Sequence, residues 1–250
     1  MERAGVATLI EALGGGSSPR LSAAVLIGIF EVTIIGLAVG QAWLERSLGL
    51  PPWVVLAAVW AVWTGWHSWL FPRRRIRYLQ MGDDAYRRAF VADIYPWVSL
   101  GFSQMWRPLA NGDTLERAFS GGWQFDAVRV VVGLALAMAA FLVIVFAIRT
   151  IGIANAAFLR EFVEPESFVP VEQGIYARIM HPLFWSGIAY SCGLAIAVGT
   201  TAAYELAAVN LVYGVIYVPL ENRRLRNVFG KRYESYRART GGLMPLRRSR

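Results

Sequence analysis

Two histidines, His67 and His181, are the side chains of this sequence that titrate nearest to neutral pH, and both stand beside long apolar runs. His67 lies in WTGWHSWLF, close to the end of one such run. A neutral imidazole in that position can accept a proton near pH 7, which makes His67 a candidate general base for catalysis. A histidine that hydrogen-bonds one helix to another is the alternative interpretation.

His181 lies in YARIMHPLFWSG, where a proline opens the next apolar run. Pro182 suits the first position of a helix, and the residue before a proline is pushed out of helical geometry. The free N–H groups of the first helical turn, together with the helix dipole, then form an anion site beside Arg178 and His181. The alternative is a plain helix start at a membrane interface with a snorkelling arginine.

Almost no loop separates the apolar run 183–199 from the run 201–220, so these two segments must form a tight antiparallel hairpin. Pro219 is expected to close the second run. Glu221 and Asn222 then return to the depth at which the hairpin began.

Beyond the hairpin, apolar and aromatic residues recur at helical spacing and predict an amphipathic helix that lies over the site. They are Leu225, Val228, Phe229, Tyr233 and Tyr236. A pocket with cationic and anionic groups under an aromatic-faced lid fits a zwitterionic cofactor.

Other polar or small residues inside the apolar runs have simpler interpretations. Glu31 is costly to bury and is a functional candidate, or else a protonated or arginine-paired packing residue. Gly36 and Gly40 form a G-x-x-x-G pattern that predicts close helix packing. Glu205 and Asn210 are expected to join helices by hydrogen bonds.

These residues need a membrane domain to position them, and the composition predicts one. The chain has 250 residues, of which 56% are hydrophobic, and its mean hydropathy of +0.43 exceeds that of ordinary soluble domains. Five runs are long and apolar enough to predict spanning helices, and a sixth is weaker because Asp93, Pro96 and Arg107 interrupt it. The five are 22–44, 51–71, 127–148, 183–199 and 201–220, and the sixth is 91–108. The predicted fold is therefore an all-α integral membrane protein with five to six transmembrane helices, a C-terminal helical hairpin and an amphipathic helix.

The N-terminal residues 1–20 do not resemble a signal peptide, because Glu2 and Glu11 interrupt the regions that one requires. They predict a short amphipathic helix and the linker 14–19, or else a frayed tail, ahead of a single membrane domain over 21–250.

Arginines set the expected orientation, since Lys and Arg are in excess on the cytoplasmic side. They crowd a predicted loop at 72–90 and the tail 223–250, so both termini and the site are expected to be cytoplasmic. This rule accounts for the net charge of +8 without nucleic acid as a partner, and a basic rim favours anionic lipid head groups. Cys192 is the only cysteine, which excludes an internal disulfide and a multi-cysteine metal site.

The motifs resemble a known family. GIYARIMHPLFWSG, the hairpin, LENRRLRNVFGKRYESYR and a closing MP together resemble the C-terminal signature of the isoprenylcysteine carboxyl methyltransferase and phospholipid methyltransferase superfamily. The upstream WHSWLFPRRR, AYRRAF and MWRPL are similar to its NnrU-like and methanethiol S-methyltransferase branch. The resemblance covers roughly residues 60–246, with the cofactor part at about 170–246.

The resemblance implies an enzyme in a bacterial inner membrane that uses S-adenosylmethionine and needs no metal. By position it implies three groups of cofactor-binding residues. The first group, which would frame the methionine end of the cofactor, consists of Tyr176, His181, Pro182, Leu183 and Gly187. Glu221, with Asn222 beside it, would contact the amino or ribose groups, and Tyr233, Tyr236 and Arg237 would belong to the closing segment.

The sequence departs from the family pattern at four positions. Ile175 replaces a proline, Met180 an arginine, Phe184 a tyrosine and Asn222 a glutamate. The lost arginine and glutamate bear on cofactor affinity, although Arg178 is placed to reach the same anion.

A methyl-sulfonium is already activated, so the protein must mainly align the acceptor and exclude water. Trp63, Trp66, Trp69 and Trp185 are candidates for an aromatic wall that holds the cation, with an interfacial tryptophan belt as the alternative. The upstream match suggests a small or lipophilic acceptor, a thiol above all, which reacts as a thiolate and so needs a base. Two alternative functions are a non-catalytic NnrU-like accessory protein and an NADPH-dependent enzyme of the sterol-reductase type.

Overall fold

The computed structural model describes residues 2–14, 19–111, 113–114, 126–163 and 170–240, and within these ranges it contains helices and no strands. The all-α membrane fold is confirmed. The main helices are α1 (Glu2–Ala12), α2 (Pro19–Leu48), α3 (Pro52–Leu79), α4 (85–106), α5 (Ala127–Ile151), α6 (Ile153–Ala156), α7 (Arg160–Val163), α8 (Pro182–Val198), α9 (Thr201–Phe229) and α10 (Lys231–Arg239).

Helices α2, α3, α4, α5, α8 and α9 carry the chain back and forth between the same two ends of the bundle. Four of them (α2, α3, α5 and α9) are long and apolar enough to cross a membrane, and α8 is a shorter apolar helix of 17 residues. The predicted weaker span, 91–108, falls largely within α4. The arginine-rich segments that the sequence predicts to be cytoplasmic meet at one end, which we call the basic end.

Local sequence explains how the hairpin of α8 and α9 is made. Pro182 occupies the first turn of α8, and Gly199 ends that helix with a left-handed backbone (φ 70°). Thr200 then caps α9, because its side-chain oxygen accepts a hydrogen bond from the N–H of Ala203. The predicted tight antiparallel hairpin is therefore confirmed.

Helices α5 and α8 pack with their backbones in contact at two glycines. A Cβ on Gly133 would lie 2.7 Å from the carbonyl oxygen of Gly193, and one on Gly193 would lie 2.8 Å from the carbonyl oxygen of Gly133. By contrast, no described atom lies within 4 Å of a Cβ built on Gly36 or Gly40. The prediction that the G-x-x-x-G of α2 packs closely is wrong within this chain, and α5 and α8 make the close contact instead.

Two predicted helix ends are also wrong. The expected loop at 72–90 is mostly helical, because α3 continues through its arginines to Leu79. Pro219 does not close its span either, since α9 runs through it to Phe229 before Gly230 (φ 56°) breaks the chain. A proline is tolerated inside a membrane helix when neighbouring groups satisfy the carbonyl that loses its partner.

At the end opposite the basic end, polar side chains join α2 to α4. Glu45 accepts a hydrogen bond from the Arg107 guanidinium, and both side chains are buried. Arg107 also donates to the carbonyl oxygen of Ala38 at 3.1 Å. One turn away, the Gln41 amide donates to Ser103 at 3.3 Å. These contacts fix the register of the two helices. Glu31, earlier on α2, is exposed on the outer surface of the bundle.

Candidate active site

A cavity of about 330 Å³ opens toward the basic end and extends down between α3, α4, α8 and α9. Its size is within the range of small-molecule sites, and most of its lining is apolar or aromatic. At the basic end its mouth is lined by residues from 152–163 and 170–181 and from helix α10. The side chains that line the two ends differ in chemistry.

The deep part of the cavity has aromatic walls. Trp60 stacks on Tyr213 with 3.9 Å between ring centroids, and Phe184 lies 5.1 Å from Tyr217. The Trp60 indole N–H donates to Asn210 at 2.8 Å, so the polar edge of this ring is satisfied. Faces of electron-rich rings can attract a cationic group by cation–π interaction.

The end of the cavity toward the basic end carries a charged pair on α9. The Glu221 carboxylate accepts two hydrogen bonds from the Arg224 guanidinium, each of 2.9 Å. Arg224 also lies 3.6 Å from the carboxylate of Glu161 on α7. Glu161 in turn lies 3.6 Å from Arg75 on α3. Ion pairs of alternating charge therefore connect α9, α7 and α3 at the mouth of the cavity.

His67 lies in a π-helical turn of α3, Trp66–Leu70, and lines the same cavity. Trp66 and His67, the first two residues of this turn, are both buried and have different partners. The Trp66 indole donates to Asp93 on α4 at 3.2 Å, whereas Nδ1 of His67 lies 3.1 Å from the hydroxyl of Tyr217 on α9. The His67 ring stacks on Trp63, with 4.9 Å between centroids and 9° between planes. The ring is therefore fixed in both position and orientation.

His181 adopts a left-handed backbone (φ 54°, ψ 45°) immediately before α8, which confirms that Pro182 forces it out of helical geometry. That conformation is uncommon for a residue other than glycine and is often found at functional sites. Nε2 of His181 lies 2.8 Å from the side-chain oxygen of Asn222, which also accepts a hydrogen bond from Tyr233. Burial lowers the pKa of His181, and the hydrogen bond to Asn222 opposes this shift. The predicted return of the α9 residues beside His181 is confirmed.

Two tyrosines on α10 line the mouth of the cavity at the basic end. The Tyr236 hydroxyl donates to the backbone carbonyl of Tyr176 at 2.8 Å, and Met180 packs against Tyr233 and Tyr236. Burial raises the pKa of Tyr236 to about 12 and raises the pKa values of Tyr176 and Tyr233 as well. All three hydroxyls therefore stay neutral hydrogen-bonding groups at physiological pH. The predicted amphipathic segment is two helices rather than one, because Gly230 separates the end of α9 from α10.

The structure brings most of the predicted site residues together. Those that line the cavity are His67, Tyr176, His181, Leu183, Gly187, Glu221, Tyr233 and Tyr236. Asn222 does not line it but holds His181 and Tyr233. Pro182 is buried at the start of α8, outside the lining, while Arg178 and Arg237 are exposed at the surface. The expectation that Arg178 stands beside the pocket is therefore not met, and Arg224 is the arginine that lines it.

Of the four tryptophans predicted to form an aromatic wall, the structure supports one. Trp63 lines the cavity, but Trp66 is buried against α4, and Trp69 and Trp185 lie outside the lining. Asn210 hydrogen-bonds neighbouring helices as predicted, whereas Glu205 is exposed.

Sequence analysis missed several lining residues on α9, namely Tyr213, Tyr217 and Arg224. Successive members of the series Asn210, Tyr213, Tyr217, Glu221 and Arg224 are three or four residues apart, which puts all of them on one face of the helix. That periodicity was the available signal for them. Trp60, Asn155, Phe158 and Glu161 were missed as well, and the residues around Phe158 carry no motif.

Several features of the cavity fit S-adenosylmethionine. The side-chain oxygen of Asn155, a residue of the lining, is buried and has no hydrogen-bond partner among the residues that the structure describes. A donor such as an amine or hydroxyl of a ligand would satisfy it. Gly187 lets the Met105 side chain pack closely against α8, because a Cβ there would meet that side chain. With the charged pair at the mouth and aromatic faces below, the donor set suits a ligand with a zwitterionic end and a cationic centre.

Comparison with known protein families gives a match over part of the chain. Residues 128–232 match the family model described as phospholipid methyltransferase. No curated protein and no solved structure matches the chain. The matched segment runs from α5 into α10 and includes His181, Glu221 and Arg224, whereas His67 lies outside it. The match supports a membrane methyltransferase.

Proposed function

We propose that this protein is an S-adenosylmethionine-dependent membrane methyltransferase that acts on a small or lipophilic acceptor, a thiol above all. The observation that carries the proposal is the single cavity in which His67 faces the charged and aromatic groups of the segment matched to methyltransferases. Neither the accessory-protein nor the reductase alternative is favoured by that match.

The cofactor would be held at the end of the cavity nearest the basic end. The Arg224 guanidinium suits its carboxylate, which makes up for the arginine that Met180 replaces. Glu221 and the side-chain oxygen of Asn155 suit its ammonium or ribose hydroxyls. The bound cofactor supplies an activated methyl group next to a sulfonium, which the aromatic faces of Tyr217 and Phe184 can stabilise.

The acceptor would occupy the deeper, apolar part of the cavity. There the walls exclude water, and His67 is placed to receive the proton that an acceptor thiol must lose. The lower part of the lining includes the apolar side chains of Val98, Phe102 and Ile188, which suit an apolar tail. The acceptor's polar atom would then point back toward His67.

The proposed location is a bacterial inner membrane with the basic end in the cytoplasm. Exposed arginines such as Arg73 and Arg77 ring that end and suit anionic lipid head groups. This orientation places the mouth of the cavity, and both termini, on the side where S-adenosylmethionine is made available.

Calorimetry of the detergent-purified protein tests the cofactor directly. We expect S-adenosylmethionine and S-adenosylhomocysteine to bind with one site per chain and to raise the thermal midpoint by mass action. NADPH serves as the comparison ligand. Binding of NADPH without binding of either methionine-derived ligand would overturn the proposal in favour of a reductase.

A panel of acceptors then tests the reaction. Small thiols, isoprenylated cysteines and amino-lipids should be offered together with S-adenosylmethionine, and methylated products sought by mass spectrometry. Methylation of a thiol would support the proposal in full. Cofactor binding without methylation of any class would contradict the enzyme assignment for those classes.

A further inference from the structure

The two ring nitrogens of His67 have different surroundings. Nδ1 lies 3.1 Å from the Tyr217 hydroxyl and 3.7 Å from the Glu221 carboxylate. For Nε2 there is no hydrogen-bond partner among the residues that the structure describes. Since the ring lines the cavity and is held between Trp63 and Phe158, Nε2 is the nitrogen left for a bound molecule.

The Tyr217 hydroxyl has one hydrogen, and its direction decides the protonation of the imidazole. The hydroxyl donates to Oε2 of Glu221 at 3.2 Å. An ionised carboxylate can only accept, and the two hydrogen bonds from Arg224 keep Glu221 ionised. With its hydrogen directed at Glu221, the hydroxyl oxygen accepts from His67, which requires that Nδ1 carry the hydrogen.

From this geometry we propose that Tyr217 is a positioning residue: with Glu221, it holds neutral His67 as the Nδ1–H tautomer and leaves Nε2 as the basic nitrogen. The catalytic part of this inference rests on the proposed function. When the acceptor reacts, its S–H bond breaks and the proton moves to Nε2, while the sulfur electron pair forms the new bond to the methyl carbon. The electron pair of the broken bond to the methyl carbon remains on the cofactor's sulfur.

The charged groups around His67 would stabilise the imidazolium cation that forms when Nε2 takes the proton. Glu221 faces Nδ1 from α9, and Arg224 and Glu161 lie behind it as a paired cation and anion. The imidazolium would donate through Tyr217 toward the Glu221 carboxylate. A tyrosine and a carboxylate here take the place that a carboxylate alone takes beside other catalytic histidines.

Nuclear magnetic resonance can read the tautomer without substrate or cofactor. The chain has two histidines, so ¹⁵N-labelled histidine gives two sets of ring signals, and a His181→Asn variant assigns them. We expect Nδ1 of His67 to be protonated and Nε2 to be bare in the wild type. In Tyr217→Phe, which keeps the ring packed but removes the hydroxyl, the tautomers of His67 should become mixed or inverted.

Tyr213→Phe is the matched control. Tyr213 lies one turn away on the same face of α9, and its hydroxyl accepts a hydrogen bond from Thr64 at 3.3 Å rather than from His67. This variant should leave the His67 tautomer as in the wild type. A wild-type His67 protonated at Nε2, or a tautomer that does not respond to Tyr217→Phe, would overturn the proposal.

Kinetics separate this inference from the proposed function. If the wild type methylates an acceptor, Tyr217→Phe should lower kcat by roughly 10- to 100-fold, as loss of an orienting partner does for other histidines, while phenylalanine keeps the aromatic face. Its pH profile should also shift, which a purely structural role would not cause. If the wild type shows the expected tautomer but binds no cofactor, the proposed function fails while the assignment of Tyr217 as the group that fixes the tautomer stands.

Discussion

Nε2 of His181 and the side-chain oxygen of Asn222 lie 2.8 Å apart, although 41 positions separate the two residues in sequence. This contact joins the start of α8 to the far half of α9. Since the same oxygen accepts a hydrogen bond from Tyr233, it also joins α10 to the hairpin. Both donors must keep their hydrogens directed at Asn222, so the neutral imidazole has a bare Nδ1.

Stability should depend on pH through His181. Burial lowers the pKa of His181 below its ordinary value of 6.5, so the native state binds fewer protons than the unfolded state at mildly acidic pH. The free energy of unfolding should therefore be constant above about pH 7.5 and should fall as the pH drops below about 6.5. Thermal midpoints of the wild type between pH 5 and 8 should be compared with those of His181→Asn, which does not titrate and tolerates a left-handed backbone. Identical slopes for the two proteins would contradict the assignment.

His67→Ala should slow turnover by roughly 10²–10⁴-fold and leave cofactor binding intact, because it removes the base and not the charged mouth of the cavity. Part of the lost rate should return at higher pH, where an acceptor thiol ionises without help. Rates across pH and calorimetric cofactor affinities measure the two effects. A variant that is merely unstable at every pH, with no recovery of rate, would indicate that His67 is a packing residue.

Glu221→Gln should weaken cofactor binding at least tenfold, about 1.4 kcal/mol, because it removes the negative charge at the mouth of the cavity and leaves Arg224 paired only with Glu161. Glu205→Gln is the matched control, since Glu205 lies on the same helix but is exposed outside the cavity. Calorimetry with S-adenosylhomocysteine compares them. Equal affinities for the two variants would mean that Glu221 serves only the structure.

Gly133→Ala should destabilise the protein by about 1–3 kcal/mol or more, because the added methyl group would meet the backbone of α8 rather than a side chain that can move. Gly36→Ala should cost nothing or stabilise slightly, since no described atom lies within 4 Å of the new methyl group. Thermal unfolding in the same detergent measures both changes. Comparable losses for the two variants would show that α2 packs on a second molecule through its glycines.

Glu45→Gln should lower stability by about 3–5 kcal/mol, because it leaves the Arg107 guanidinium buried without a counter-charge. Glu31→Gln on the same helix should have little effect, because this carboxylate is exposed on the outer surface of the bundle. Cofactor affinity of the folded fraction should be unchanged in both, since the ion pair lies at the far end from the cavity mouth. A loss of affinity in Glu45→Gln would show that the two ends are coupled.

Sequence alone predicted the parts of this site that depend on chain connectivity. A hairpin with almost no loop must bring residue 181 and residue 222 to the same depth, and Pro182 must distort His181. What it could not predict depends on helix rotation. His67 reaches Tyr217 because of a π-helical turn, and no composition rule signals such a turn. The prediction that Pro219 ends its helix was wrong for a related reason, because neighbouring helices decide whether a proline ends a membrane helix.

The π-helical turn Trp66–Leu70 amounts to one extra residue inserted into an otherwise regular helix. Deletion of Ser68 would let the chain close into ordinary α-helix, and everything beyond the deletion would rotate by about 100° relative to the residues before it. His67 and Trp66, which precede the deletion, would keep their directions, whereas Tyr78 and Arg75, which follow it, would turn away from Asp93 and Glu161. The length of this segment thus sets how the arginine-rich end of α3 is rotated relative to the part that carries His67. A chain shorter by one residue would retain His67 and its partners yet lose the contacts of that end with Asp93 and Glu161.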